Sequence, residues 1–379
     1  MAPKITVIIP TFNRSIYLKE CLDSILSQTL QPHQVTVVND GSNDRTREVL
    51  EPYLPLIDYV ETDQTGKAVA LNVGLEGVKG EYVWIFDDDD VALPDALERF
   101  VAPLEADPTC GFSYSTYFYT ATRPQDDRIG DVLGESRIPD LQDHNLLIPL
   151  LESDFLGGAS IFARTACYRQ VGNFDPALVR SEDYEMLIRL ARQFTGVRAA
   201  GGPTFHNRQH GGMRGSTRDR FEAAHRNTKW LEYDQLVFRR LYRELPLEVY
   251  LPHGSLLQDH LRQAHLQRLA VVASKLMFSE VAACLEDLAR LEQQSPFSKQ
   301  EREILYRLIV RRPFYGAGGF YDNLESFDLI RRLASASPAM RRFRLETMRV
   351  ILSHLAGKKR WLVPHTIFGA ACRSWRLFI

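Results

Sequence analysis

Through the first 215 residues, short unbroken apolar runs alternate with stretches in which apolar side chains recur every three or four positions. Residues 5–9 (ITVII) form a β-branched run of the kind that is buried on both faces of a parallel sheet, and Pro10 is expected to end it. Residues 15–27 place Ile16, Leu18, Leu22, Ile25 and Leu26 close to helical spacing. A second strand is predicted at 35–38, followed by the turn sequence Asn39-Asp40-Gly41-Ser42 and a helix near 44–50. Another helix is predicted over 67–78, and a strand over 82–86 that runs into four aspartates. Strand, helix, strand, helix is the pattern of a doubly wound α/β fold, in which ligands bind beyond the carboxyl ends of the strands.

From about residue 216 the period changes. Residues 218–244, 256–275, 278–292, 299–311, 322–334 and 339–355 all read as helices, with no repeat regular enough to indicate a solenoid. The expected organisation is an α/β domain over 1–215 and an all-helical domain over 216–379. With 45% apolar and 25% charged residues the chain is globular rather than disordered. Uncharged stretches such as 109–122 and 361–372 are too short to span a bilayer, and the opening MAPKITVIIPTF shows no leader pattern. The five cysteines are scattered without a C-x-x-C pair, which argues against disulfides or zinc and predicts a reducing, cytoplasmic setting. Charge is divided unevenly. From Phe297 onward there are 16 Lys+Arg against 6 Asp+Glu, so the rest of the chain is acidic and the two parts are expected to meet different partners.

Asp87-Asp88-Asp89-Asp90 emerges where a buried strand leaves its sheet. If the chain stays extended there, Asp87 and Asp89 share one face while Asp88 and Asp90 share the other. Hard oxygen ligands so placed suit Mg²⁺ or Mn²⁺, with substrate phosphates and water completing the shell; a solvated acidic turn is the bland alternative. Thr11-Phe12-Asn13-Arg14 and Asp40-Gly41-Ser42 follow the other two strands, so they add hydroxyl, amide, guanidinium and carboxylate groups to the same edge. Arg14 or Lys67 could meet phosphate, and Asp40 could accept from a base N–H, although Asp in an N-D-G-S turn is ordinarily a turn former. Glu182-Asp183 opens an amphipathic helix, where acidic residues commonly serve the helix dipole.

VIIPTFNR (7–14), VVNDGSNDRT (37–46), TGKAVALNVGL (65–75), GEYVWIFDDDD (80–90), FDPALVRSEDYEMLIRL (174–190) and HNRQHGG (206–212) occur in the order found in family 2 glycosyltransferases, which residues 4–212 therefore resemble. The resemblance implies a glycosyltransferase A-type fold, a nucleotide-diphosphate sugar donor, a divalent metal and an inverting mechanism. It places Pro10, Thr11, Phe12, Arg14, Asp40, Lys67, Asn72, Asp87 and Asp88 at the nucleotide sugar. It assigns Asp89 and His210 to Mn²⁺ or Mg²⁺, Asp183 to the general base, and Glu182 to the acceptor or to a fallback base role. The implied reaction moves a sugar, with a UDP-sugar the leading donor, to a carbohydrate, lipid-linked or peptide hydroxyl in polysaccharide or glycoconjugate assembly.

Two other readings compete. A sugar-nucleotide nucleotidyltransferase would want a Gly-rich phosphate loop after the first strand, which PTFNR does not offer. A non-catalytic carbohydrate-binding or scaffold module need not keep Asp87–Asp90, Glu182-Asp183 and His210 together. In the tail, Arg341, Arg342, Arg344, Arg349, Lys358-Lys359-Arg360-Trp361 and the closing CRSWRLFI interleave basic and aromatic residues. That composition suits peripheral contact with the inner face of a membrane, a protein partner, or simply a solvated basic face. No module of nucleic-acid recognition accompanies it.

Overall fold

The computed structural model describes residues 3–139, 141, 146–211, 225–252, 260–291, 295–310 and 324–357. The chain divides into two compact units: Met1–Asp140 with Asp154–Arg226, and Leu141–Ser153 with Asn227–Ile379. The expected mixed α/β sheet followed by helices is what the chain forms.

The first unit is built on a seven-stranded sheet. β1 (Ile5–Thr11) lies between β2 (Gln34–Asn39) and β4 (Tyr82–Ile85), parallel to both, and β3 (Asp58–Glu61) extends the parallel edge beyond β2. On the other side of β4, β9 (Ile161–Arg164) runs antiparallel, followed by β6 (Cys110–Tyr114) and β10 (Thr195–Arg198). Helices α1 (Ser15–Leu26), α2 (Thr46–Leu50), α3 (Lys67–Glu76), α4 (Ala96–Ala106), α6 (Thr165–Val171) and α7 (Glu182–Gln193) belong to this unit. Ile5, Val7, Ile9, Leu22, Ile25, Trp84 and Phe100 join one core between the sheet and its helices. Burying each such side chain contributes about 1.5–3 kcal/mol. Opposite, α3 approaches β1 so closely that a β-carbon at Gly74 would come within 2.6 Å of Ile8 Cγ2.

Pro10 does not end β1. The strand runs on to Thr11, with Pro10 in register with Val38 of β2. In a parallel pair, alternate residues direct their amides to alternate neighbours. Ile8 O accepts from Phe86 N on the β4 side, so Pro10 faces that side too, where β4 has already finished at Ile85. Its missing N–H therefore loses no ladder bond.

A second sheet of four strands, β5 (Val91–Ala92), β11 (Phe205–Gln209), β7 (Phe118–Thr122) and β8 (Ile129–Glu135), carries residues 205–209 directly beside the segment that follows β4.

The second unit is helical. It contains α5 (Leu147–Glu152), most of α8 (Arg226–Glu244), α9 (Leu261–Ser274), α10 (Phe278–Ala289), α11 (Lys299–Val310), α12 (Leu324–Ala336) and α13 (Pro338–Gly357). Glu152 of α5 accepts from Gln267 of α9 and Arg307 of α11, which ties that short helix to the later ones.

Candidate active site

The edge formed where β1, β2 and β4 end collects nearly every residue singled out in the sequence. After β1, Asn13 adopts a left-handed conformation (φ 53°), and its amide N–H donates to Ser42 Oγ while its side chain accepts from Asn43 N. The loops after β1 and β2 are thereby tied together. α1 then starts, and spacings of three and four place Arg14, Tyr17 and Cys21 on the face that meets the aspartates.

The four aspartates do not stay extended. Asp90 N donates to Asp87 O at 3.2 Å, closing a turn, so the expected alternation of two faces gives way to four separate environments. Asp87 receives Lys67 Nζ at 2.7 Å. Asp89 Oδ2 lies 2.9 Å from His210 Nε2 and 3.2 Å from Arg14 Nη1. Asp90, 1% exposed, accepts from Arg208 N and Asn207 Nδ2, and burial pushes its carboxyl well above the usual range, helped by the charges of Asp89 and Asp87. Asp88 is buried, and burial together with the neighbouring Asp89 pushes its carboxyl up to about 7. Its Oδ2 and Thr11 Oγ1 at the end of β1 are shielded from solvent and have no close hydrogen-bond partner among the described residues, although the Thr11 hydroxyl is near enough to pull the Asp88 carboxyl down against its burial. Two such orphaned polar atoms at the mouth of a sheet are what a ligand hydroxyl would satisfy.

Lys67 joins the two acidic clusters. Its Nζ is 2.7 Å from Asp87 Oδ1 and 3.5 Å from Glu182 Oε1. Burial alone would lower the ammonium, but Asp87, Glu182 and Asp183 outweigh it and hold it above its ordinary value. Asp40 fixes where Lys67 begins. Its carboxylate accepts from Thr65 N, Gly66 N and the hydroxyls of Thr62 and Thr65, shaping the turn ahead of α3. That is a turn-forming job for the residue expected at the base. Asn72 likewise faces protein: its amide donates to Phe174 O and accepts from Phe174 N. Pro10 and Phe12 flank Thr11 at the same strand end.

Glu182 and Asp183 open α7 after Ser181, which is left-handed at φ 61°. Glu182 is 2% exposed, and burial raises its carboxyl against the pull of Lys67. Asp183 is more open; its Oδ1 accepts from Tyr184 N, and its other oxygen faces Gly158 at the start of the turn leading into β9.

Arg208, two residues before His210 in HNRQHGG, is an internal brace. It is 2% exposed and donates to Asp89 O, Asp127 O and Glu20 Oε2, with its guanidinium 4.6 Å from the centre of the Tyr17 ring. The Tyr17 ring also lies 5.2 Å from the His210 ring. Glu20 and Tyr17 stand out only in the structure, since in the sequence each reads as an ordinary helix residue, while Asp90 belongs to the acidic run without a site role of its own.

Asp89 Oδ2 and His210 Nε2 converge at a separation that two ligands of one hard cation, each about 2.0–2.2 Å from it, can adopt. Among the described residues no group of three or more His, Cys, Asp and Glu side chains forms a metal site. A cation held here would therefore complete its shell from substrate oxygens and water, as Mg²⁺ commonly does. Gly212 and the basic-aromatic segment 358–379 lie outside the described residues. Among the described residues no helix is long and apolar enough to cross a membrane.

The family model for Glycosyl transferase family 2 matches residues 6–169. An uncharacterised glycosyltransferase of Rickettsia typhi is 29% identical over 203 residues, covering 50% of this chain and 59% of that protein. Glycosyltransferase GlyA of Streptococcus pneumoniae is 38% identical over 118 residues, covering 30% of this chain and 17% of that protein. The chain thus spans well under two thirds of the length of these curated relatives. Among solved structures, S. aureus TarS 1–349 in complex with UDP-GlcNAc superposes with a TM-score of 0.51 at 15% identity, covering 93% of this chain and 91% of that one. A likeness at that identity speaks to the fold alone.

Proposed function

We propose that the chain, whose residues 6–169 match the Glycosyl transferase family 2 model, is an inverting, metal-dependent glycosyltransferase that moves a hexosyl group from a nucleotide-diphosphate sugar to an acceptor hydroxyl. The observation that carries this reading is Lys67, whose ammonium touches Asp87 on one side and Glu182 on the other. Through it, the cluster suited to a sugar diphosphate and the pair suited to acceptor activation lie against one ammonium. TarS was solved with UDP-GlcNAc, which makes that sugar nucleotide the first donor to try.

In this reading the orphaned oxygens of Thr11 and Asp88 receive the nucleoside's sugar hydroxyls. Arg14 and Lys67 supply positive charge to the diphosphate. A Mn²⁺ or Mg²⁺ bound by Asp89 and His210 would neutralise charge on the departing diphosphate. Asp183, the more open carboxylate of its pair, takes the proton from the acceptor hydroxyl as that oxygen attacks the anomeric carbon, a contribution of about 10²–10⁴ in rate. Buried Glu182 serves chiefly to hold Lys67 in place rather than to meet the acceptor. The helical unit over 216–379 is proposed as the part that recognises the acceptor or a partner surface.

Two substitutions separate these roles. Asp183→Asn is expected to remove transfer, at least 10²-fold in kcat, while leaving the Kd for UDP near wild type. Asp89→Ala is expected to weaken Mn²⁺-dependent nucleotide binding as well. Calorimetric titration alongside product assays distinguishes them, and near-normal turnover by Asp183→Asn would overturn the base assignment.

A further inference from the structure

Arg14 Nη1, Asp89 Oδ2 and His210 Nε2 form a closed triangle, with Arg14 2.9 Å from the imidazole and 3.2 Å from the carboxylate, and those two 2.9 Å from each other. One imidazole nitrogen cannot both accept from a guanidinium and donate to a carboxylate, so the three groups are not a fully satisfied hydrogen-bond set. Charge holds the guanidinium to the Asp89 carboxylate, beside a ring nitrogen that is a metal ligand when it carries no proton. A divalent metal would meet the same carboxylate and ring nitrogen.

We propose that Arg14 is a resident counter-ion. In the unloaded site its guanidinium takes the place beside Asp89 and His210 that the divalent cation needs, and on loading it is handed over to the donor's diphosphate. This inference rests on the metal-dependent reading above and adds a coupling to it.

Several features mark Arg14 as the movable member. Its backbone is fixed, since its carbonyl accepts from Tyr17 N and Leu18 N at the start of α1, but among the described residues its guanidinium has only Asp89 and His210 within hydrogen-bonding distance. It lies a loose 5.9 Å from the Tyr17 ring centre. Arg208, the neighbouring guanidinium, is fixed by three acceptors and packs at 4.6 Å on the same ring. A metal ligating Asp89 and His210 from the guanidinium's side cannot coexist with it, and from the other side it still stands as a like charge at short range. Diphosphate oxygens brought in by the donor give Arg14 a new anionic partner as it leaves. Metal and nucleotide should therefore bind with positive coupling, Arg14 being the group that transmits it.

The test is Mn²⁺ binding to the full chain, followed by electron paramagnetic resonance of free Mn²⁺, with and without UDP, for wild type, Arg14→Gln, Arg14→Lys and Asp89→Ala. Without nucleotide, Arg14→Gln should bind Mn²⁺ roughly tenfold tighter than wild type, and with Mn²⁺ saturating it should bind UDP roughly tenfold weaker, a size usual for coupled sites. Arg14→Lys keeps the charge and should fall between the two, which guards against a folding defect in the glutamine variant. Equal or weaker Mn²⁺ binding by Arg14→Gln, or unchanged UDP binding, overturns the counter-ion role. If Asp89→Ala binds Mn²⁺ as well as wild type does, the metal reading itself falls, which is a separate failure.

Discussion

A β-carbon at residue 158 would stand 3.1 Å from Asp183 Oδ2 and 3.2 Å from its Cβ, so the carboxylate proposed as the base occupies space that only glycine leaves open. The neighbouring residue, Gly157, lies along Tyr117, and Ala159 O accepts from the indole of Trp84, which pins the loop against β4. The loop therefore has little freedom to retreat, and a methyl group at 158 would have to displace Asp183. Because misplacing a reacting group by about 1 Å can cost roughly 10²-fold in rate, the shift of a few tenths of an ångström that Gly158→Ala would force on Asp183 is expected to lower kcat by about an order of magnitude or less. UDP binding should be unchanged, because Thr11, Asp88 and Lys67 are untouched. Steady-state kinetics with a parallel UDP titration checks this, and a fall in both would place Gly158 in the donor site instead.

The elements that carry the site were largely written in the sequence, but their partnerships were not. β1, β2, β4 and the helices between them appear as continuous apolar runs and three-to-four spacings because buried parallel strands and one-sided helices leave those patterns. The turn at Asp87–Asp90 is set by contacts distant in sequence: Lys67, 20 residues back, and Asn207 and His210, 117 and 121 residues on from Asp90 and Asp89. No local period encodes them. The second sheet is equally obscure, since β7 and β8 are mostly part-exposed and mix polar with apolar residues. Nothing near Leu147–Glu152 marks it as belonging with helices a hundred residues later. Those helices rest on a polar joint of their own: Arg262 of α9 forms a two-armed pair with Glu301 of α11, both nearly sealed from water, and also donates to the carbonyls of Ser295 and Pro296. Truncating one member strands the other's charge, so Arg262→Ala is expected to destabilise the helical unit by about 3–5 kcal/mol, read as a lower urea midpoint.

At the scale of the whole chain, two units with different chemistry should answer different perturbations. The first unit holds every residue proposed above to meet the nucleotide, so UDP with Mn²⁺ should raise its melting temperature, because a ligand that binds only the folded form stabilises it. The helical unit contains His265, whose imidazole is held below its ordinary value by burial and by the nearby Arg268 charge, with Asp287 opposing from 4.0 Å. An unfolded histidine takes its proton near pH 6.5. Below that pH the unfolded chain therefore binds more protons than the native one, and native stability falls. Above it both forms are neutral and the effect vanishes. His206, in the first unit, is depressed by burial in the same direction and keeps part of the acid sensitivity there. His265→Gln is accordingly expected to flatten the decline in melting temperature between pH 7.5 and 5 without removing it, and to leave the UDP-induced rise intact. Differential scanning calorimetry across that range, with and without UDP and Mn²⁺, measures both effects on one sample. An unchanged pH slope in His265→Gln would mean that the ring is already free to protonate in the native helical unit.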